Sequence, residues 1–171
     1  MMKIRIILKK MSYENSRDNR ILKSCLTTWF SNPKELHLTD PKMTYPFQFK
    51  QWVNLSYKGQ NTETWGAFSG KWMVGIVSLE HLQEEGRIHL FHIYVDKEYR
   101  KKGIGKKLIL KAEEQGKKTK AKALTLNIVS GNSEAVALYE KMGFKLIESK
   151  NKKMKMKKTV YGGAINTKYF D

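Results

Sequence analysis

The stretch YRKKGIGKKL, residues 99–108, sets Gly103 and Gly105 one residue apart among Arg100, Lys101, Lys102, Lys106 and Lys107. Glycines leave no Cβ between the main-chain amides and a ligand, and they permit a sharp turn. A helix starting at such a turn adds its unpaired N–H groups and the positive end of its dipole, which makes an anion site. With the flanking cations, the stretch suits a pyrophosphate better than a lone carboxylate. It is not a P-loop, which needs four residues between its glycines and then Lys-Ser or Lys-Thr. Nor is it a dinucleotide fingerprint, since Leu108 stands where a third small residue belongs and no acidic residue follows about 20 positions on.

The elements that must position this loop can be read from pattern. KIRIILKK suits a first strand. From Ser16 to Phe30 the residues Ile21, Leu22, Cys25, Leu26 and Trp29 recur at helical spacing, and SNP at 31–33 stops that helix. Phe49, Trp52, Val53 and Leu55 predict a short helix. TWGAF and WMVGIVSL around SGK predict a hairpin, with IHLFHIYV as a third adjacent strand. Gly103–Gly116 carries Ile104, Leu108, Ile109 and Ala112 on one helical face. ALTLNIV is a strand, SGN leads into a helix that Gly143 ends, and FKLIES is a strand. KKMKMKK reads as an edge strand protected by lysines. This is an α/β (α+β) chain with a mostly antiparallel sheet and flanking helices. The strand–helix–strand unit makes IHLFHIYV and ALTLNIV parallel. Ligands of such units sit beyond the carboxyl ends of the strands, where YRKKGIGKKL lies.

At 171 residues the chain has room for one core, and no linker marks a second domain. The expected organisation is one domain over residues 1–171, with about 159–171 as a C-terminal extension or last strand. The formal charge of +17 implies attraction to anions, or a solvated lysine surface. The lone cysteine, Cys25, excludes a disulfide framework and lies in an apolar helical pattern, as a small hydrophobe rather than a nucleophile. The N-terminal apolar run is too short for a signal or a membrane span, so cytoplasmic location is the expectation. No metal site is expected.

IYVDKEYRKKGIGKKL followed by LNIVSGNSEAVALYEKMGF resembles the GCN5-related N-acetyltransferase (GNAT) superfamily. Arg100, Gly103 and Gly105 match its loop, and Asn132, Ala135, Leu138, Tyr139, Gly143 and Phe144 match its later segment. The match is firm over about residues 72–147, rests on element order for 1–71, and is absent from the tail. The resemblance implies a mixed, mostly antiparallel sheet with a central parallel pair. It implies acetyl-CoA as cofactor, with the pyrophosphate on the main-chain amides of Arg100, Lys101, Lys102, Gly103, Ile104, Gly105 and Lys106. Ile93, Tyr94 and Val95 would pair with the pantetheine arm like an added strand, and Asn132 would hydrogen-bond the same arm. Relatives often carry proline where Lys97 stands, a departure that touches the loop's stiffness.

The implied reaction is direct attack of a primary amine on the thioester, which needs a neutral amine, a donor to the carbonyl oxygen and a proton for the thiolate. A backbone N–H near Tyr94 is the implied carbonyl donor. Tyr139, with a phenol pKa of about 10, can protonate a thiolate whose acid lies at about 8.5. Taken alone, Tyr139 reads as a core tyrosine; the surrounding motif makes it the proton donor. In relatives a carboxylate base often stands at about Phe91 or His92. His92 is the candidate here, with His89, Glu80 or no strong base as alternatives. His89 falls on the opposite face by period-two counting. The acceptor is a small-molecule or peptide amine, for which Trp29, Phe30, Tyr45, Phe47 and Trp52 are either a slot or core. A non-catalytic acetyl-CoA or nucleotide sensor is the second reading, and a nucleic-acid binder the third. No membrane partner is expected, and a homodimer is left open.

Overall fold

The computed structural model describes residues 3–160. Seven strands form one sheet in the order β1-β2-β3-β4-β5-β7-β6. The described residues pack as two compact units, the first holding residues 3–78 with His92–Leu108, the second Leu79–Phe91 with residues 109–160. The residues of β3 (Trp72–Leu82), β4 (Arg87–Val95) and α4 (Ile104–Thr119) are shared between the two.

In the first unit β1 (Ile6–Met11) pairs antiparallel with β2 (Thr62–Ser69). Helix α1 (Ser16–Trp29) is capped by Asn15, whose side chain accepts from the Asp18 N–H, and it buries Leu22, Leu26 and Trp29 as the spacing predicted. SNP does stop α1, and it also starts α2 (Pro33–Thr39). Asn32 accepts from the N–H groups of Lys34 and Glu35, and Pro33 takes the first helical position, where its missing N–H is harmless. Helix α3 (Phe49–Ser56) turns Trp52 inward. Trp29, Phe30 and Trp52 are buried, the Phe30 ring packing against Trp29, Trp52 and Tyr94 and the Trp29 ring against Tyr94, so they are core. Tyr45 is 52% exposed, its hydroxyl donating to the Ser31 carbonyl, so it is not core.

In the second unit β4 pairs parallel with β5 (Ala123–Val129), from Arg87 opposite Ala123 to Leu90 opposite Leu126. Helix α5 (Ser133–Lys141) follows, then β6 (Lys145–Lys150) and β7 (Lys153–Thr159). β7 pairs antiparallel with both β5 and β6, so the lysine–methionine strand is internal and β6 is the edge. The reason is Met156, which is buried opposite Leu126 while the alternate lysines reach solvent. The C-terminal extension expected at about 159–171 lies outside the described residues beyond Val160.

Candidate active site

β4 alternates half-buried and buried residues along its length, with Ile88, Leu90, His92 and Tyr94 inward and His89 on the other face, as counting by two required. Its pairing with β5 ends at Leu90, and the strand goes on through Ile93, Tyr94 and Val95. Gly75 makes room beside that end: a methyl added there would sit 3.1 Å from the Tyr94 carbonyl oxygen, and backbone cannot yield as a side chain can.

The turn after Val95 is held by side chains. The Asp96 N–H donates to the Val74 carbonyl, and its carboxylate accepts from Glu98 N–H at 2.9 Å and from the Trp29 indole N–H at 3.0 Å. These bonds fix the single 3-10 turn of Lys97–Tyr99. Lys101 and Gly103 then adopt left-handed conformations, φ 62° and 81°. A methyl added at Gly103 would meet nothing within 4 Å. The first bond of α4 is Lys107 N–H to Gly103 carbonyl, so the N–H groups of Ile104, Gly105 and Lys106 have no acceptor within the helix. Gly105 is the second residue of the helix and not part of the turn. Lys101, Lys102 and Lys106 are exposed beside these amides. Open backbone donors and free cations together fit a pyrophosphate.

Arg100 points the other way. Its Nε donates to the Val95 carbonyl at 2.9 Å and its Nη2 to Glu35 Oε1 at 2.8 Å, with the guanidinium 5.1 Å over the Tyr94 ring. The Tyr94 hydroxyl donates to the same Glu35 oxygen at 3.2 Å, and burial, then the Glu35 charge, push its pKa up.

His92 has a left-handed backbone, φ 49°, and stacks on Trp52 with ring centres 3.7 Å apart. Both ring nitrogens are engaged: Nε2 lies 2.8 Å from Asp40 Oδ2 and Nδ1 2.7 Å from the Tyr57 hydroxyl. Burial lowers the His92 pKa, with the Asp40 bond and charge opposing it, so the ring is neutral at pH 7. Burial raises Asp40, but the His92 bond and charge and the Lys42 N–H bring it below its ordinary value, so it is ionised and can only accept. The proton is therefore on Nε2, and Nδ1 accepts from Tyr57. Tyr57 in turn lies 2.7 Å from Ser78 Oγ, and Ser78 2.8 Å from Thr64 Oγ1, all buried.

The second unit holds Asn132, Tyr139, His89 and Glu80. Asn132 caps α5, its side-chain oxygen accepting from the Ala135 N–H at 3.4 Å. Tyr139 is 6% exposed and packs edge-on to Phe144; its hydroxyl makes no hydrogen bond among the described residues. Burial alone pushes that phenol's pKa up and keeps it protonated. His89 Nδ1 lies 2.9 Å from Thr125 Oγ1, which also accepts from Arg87. Glu80 is half-buried on β3. Cys25 is half-buried on α1, and burial with the Asp96 charge pushes its thiol up to about 11, so it stays protonated. Glu35, Asp40 and Tyr57 escaped the sequence reading because their partners lie 35 to 65 positions away.

A mixed, mostly antiparallel sheet with one parallel pair, and a left-handed glycine opening the helix that follows the first of those two strands, make the α/β fold that the sequence resemblance implied. The chain belongs to the acetyltransferase (GNAT) family, whose family model matches residues 24–144. It is 33% identical over 85 residues to human N-acetyltransferase 8, a match covering 47% of this chain and only 37% of that protein's length. The PaiA N-acetyltransferase of Thermoplasma acidophilum, solved in complex with coenzyme A, superposes with a TM-score of 0.70 at 21% identity, over 91% of this chain and 99% of that one. A domain from Methanocaldococcus jannaschii superposes with a TM-score of 0.75 at 18% identity, over 92% and 99% of the two chains. Likeness at these identities carries the fold. No helix among the described residues is long and apolar enough to cross a membrane.

Proposed function

We propose that the chain is an acetyl-CoA-dependent N-acetyltransferase that acylates a primary amine by direct attack. The observation that carries this reading is the helix start at 103–106, where amides without an intrahelical acceptor stand among exposed lysines behind a left-handed glycine. Acetyl-CoA, as cosubstrate, supplies an acetyl group activated as a thioester. The amides from Arg100 to Lys106 hold its pyrophosphate, and Ile93–Val95 offer main-chain groups to the pantetheine arm. Asn132 keeps its amide N–H donors for that arm while its oxygen caps α5. A backbone N–H near Tyr94 donates to the thioester carbonyl.

Tyr139 holds a proton at its hydroxyl for the departing sulfur. Burial keeps that proton on and no described residue competes for it. We assign the acceptor's proton to His92, whose Nδ1 accepts from the Tyr57 hydroxyl and whose charged form Asp40 would stabilise.

The test is a melt with and without acetyl-CoA, followed by a thiol-release screen over amino acids, aminoglycosides, polyamines and peptide N-termini. A ligand at a hundred times its Kd adds about 2.7 kcal/mol, or about 5–10 °C of Tm for a chain this long. An unmoved Tm would remove the cofactor from the reading. Stabilisation without thiol release across the panel would make the chain a sensor rather than an enzyme.

A further inference from the structure

We infer that Glu35 is a positioning residue for the anion loop, clamping the Arg100 side chain inward so that the main chain, not the guanidinium, faces the cosubstrate's phosphates. The inference rests on the acetyl-CoA reading and names a residue on α2 that the loop motif does not contain.

Two of the guanidinium's donors are spent on the protein, Nε on the Val95 carbonyl and Nη2 on Glu35 Oε1. The first closes the turn from the end of β4 to the start of the loop. The second anchors that closure to α2, through a carboxylate whose side chain is 11% exposed. The Tyr94 hydroxyl on the same oxygen holds Glu35 in register with β4. An arginine bound at two nitrogens and lying over a ring has lost most of its rotamer freedom, which fixes the backbone from which Lys101–Gly103 continue.

Charge and position give opposite signs here, which makes the inference decidable. If Glu35 acted only through its charge, removing a carboxylate near an anion site would tighten binding. If it positions the loop, removing it weakens binding. The experiment titrates coenzyme A into the full chain by calorimetry, for wild type, Glu35→Gln, Arg100→Lys and the double variant. Arg100→Lys keeps the charge but loses the planar fork that serves both acceptors.

Each single variant is expected to raise the Kd for coenzyme A about tenfold, the size of one charge-assisted hydrogen bond. The double variant should be no worse than the worse single one, because both break one clamp. In turnover, KM for acetyl-CoA should rise by the same factor with kcat within about twofold, a split that general loosening of the fold would not give. Should Glu35→Gln fail to fold, Arg100→Lys carries the test alone. Unchanged or tighter binding in Glu35→Gln, or additive losses in the double variant, would overturn the inference and leave the acetyl-CoA reading intact. A wild type that does not bind coenzyme A would remove both.

Discussion

Asp40→Asn is the substitution whose outcome the His92 network constrains most tightly. Asp40 accepts two hydrogen bonds, from His92 Nε2–H at 2.8 Å on Oδ2 and from the Lys42 N–H at 3.1 Å on Oδ1. An amide has one oxygen for the two. Turned toward His92, it sets its NH2 against the Lys42 N–H, where the chain is exposed and water can serve that donor. The surviving bond has lost its charge, falling from about 1.5–3 kcal/mol to about 0.5–1.5 kcal/mol. The net loss is about 1–2 kcal/mol, a fall in Tm of about 2–8 °C for a chain of this size. The pH dependence carries a sign. His92 has a folded pKa below its ordinary 6.5, so below that pH the unfolded chain takes up this proton first and stability falls on acidification. Without Asp40's bond and charge the folded pKa drops further, and the variant goes on losing stability where wild type has begun to protonate. The gap in Tm therefore widens as pH falls below 6.5 into the range where the folded wild-type ring takes up its proton. It closes below 3.8, where the unfolded Asp40 takes its proton ahead of the folded one. Circular-dichroism melts across that range read the gap directly. A variant as stable as wild type at neutral pH, or a gap that narrows as pH first falls below 6.5, would refute the direction of the Asp40–His92 bond argued above.

Tyr139→Phe should lower kcat about a hundredfold or more, the usual contribution of a positioned acid. Its Tm should stay within about 2 °C of wild type, because the hydroxyl makes no hydrogen bond among the described residues. Thiol release at saturating acetyl-CoA measures the first, and an undiminished rate would return Tyr139 to a packing role. Gly103→Ala puts a side chain where φ is 81° but in open space. The cost is therefore backbone strain of about 1–2 kcal/mol, with weaker coenzyme A binding. Calorimetry and a melt check both, and wild-type values would mean the loop does not need its left-handed turn.

What was legible in the sequence was local. Helical spacing gave α1 and α4, the SGK turn gave the β2–β3 hairpin, and the glycine pair marked the start of α4. Two features were not legible, because one signal acts twice and the other hides. SNP ends α1 as its proline requires, but its asparagine is also the cap of α2 and its proline the first residue of that helix. The β6–β7 connection is Asn151-Lys152, both left-handed at φ 51° and 61°, a two-residue hairpin turn that only the asparagine advertised. The polar network around His92 was out of reach, since nothing near Asp40, Tyr57 or Glu35 in sequence announces a partner across the fold. Burial made those pairings, and burial is a property of the packed chain.

The Trp29–Asp96 bond changes how the loop after β4 can fail. A proline at position 97 would stiffen its own backbone in any state of the chain, folded or not. An indole 67 residues away stiffens it only while α1 stays docked. The order of this loop is thus conditional: a partial opening that frees α1 would release the Asp96 carboxylate that braces the turn.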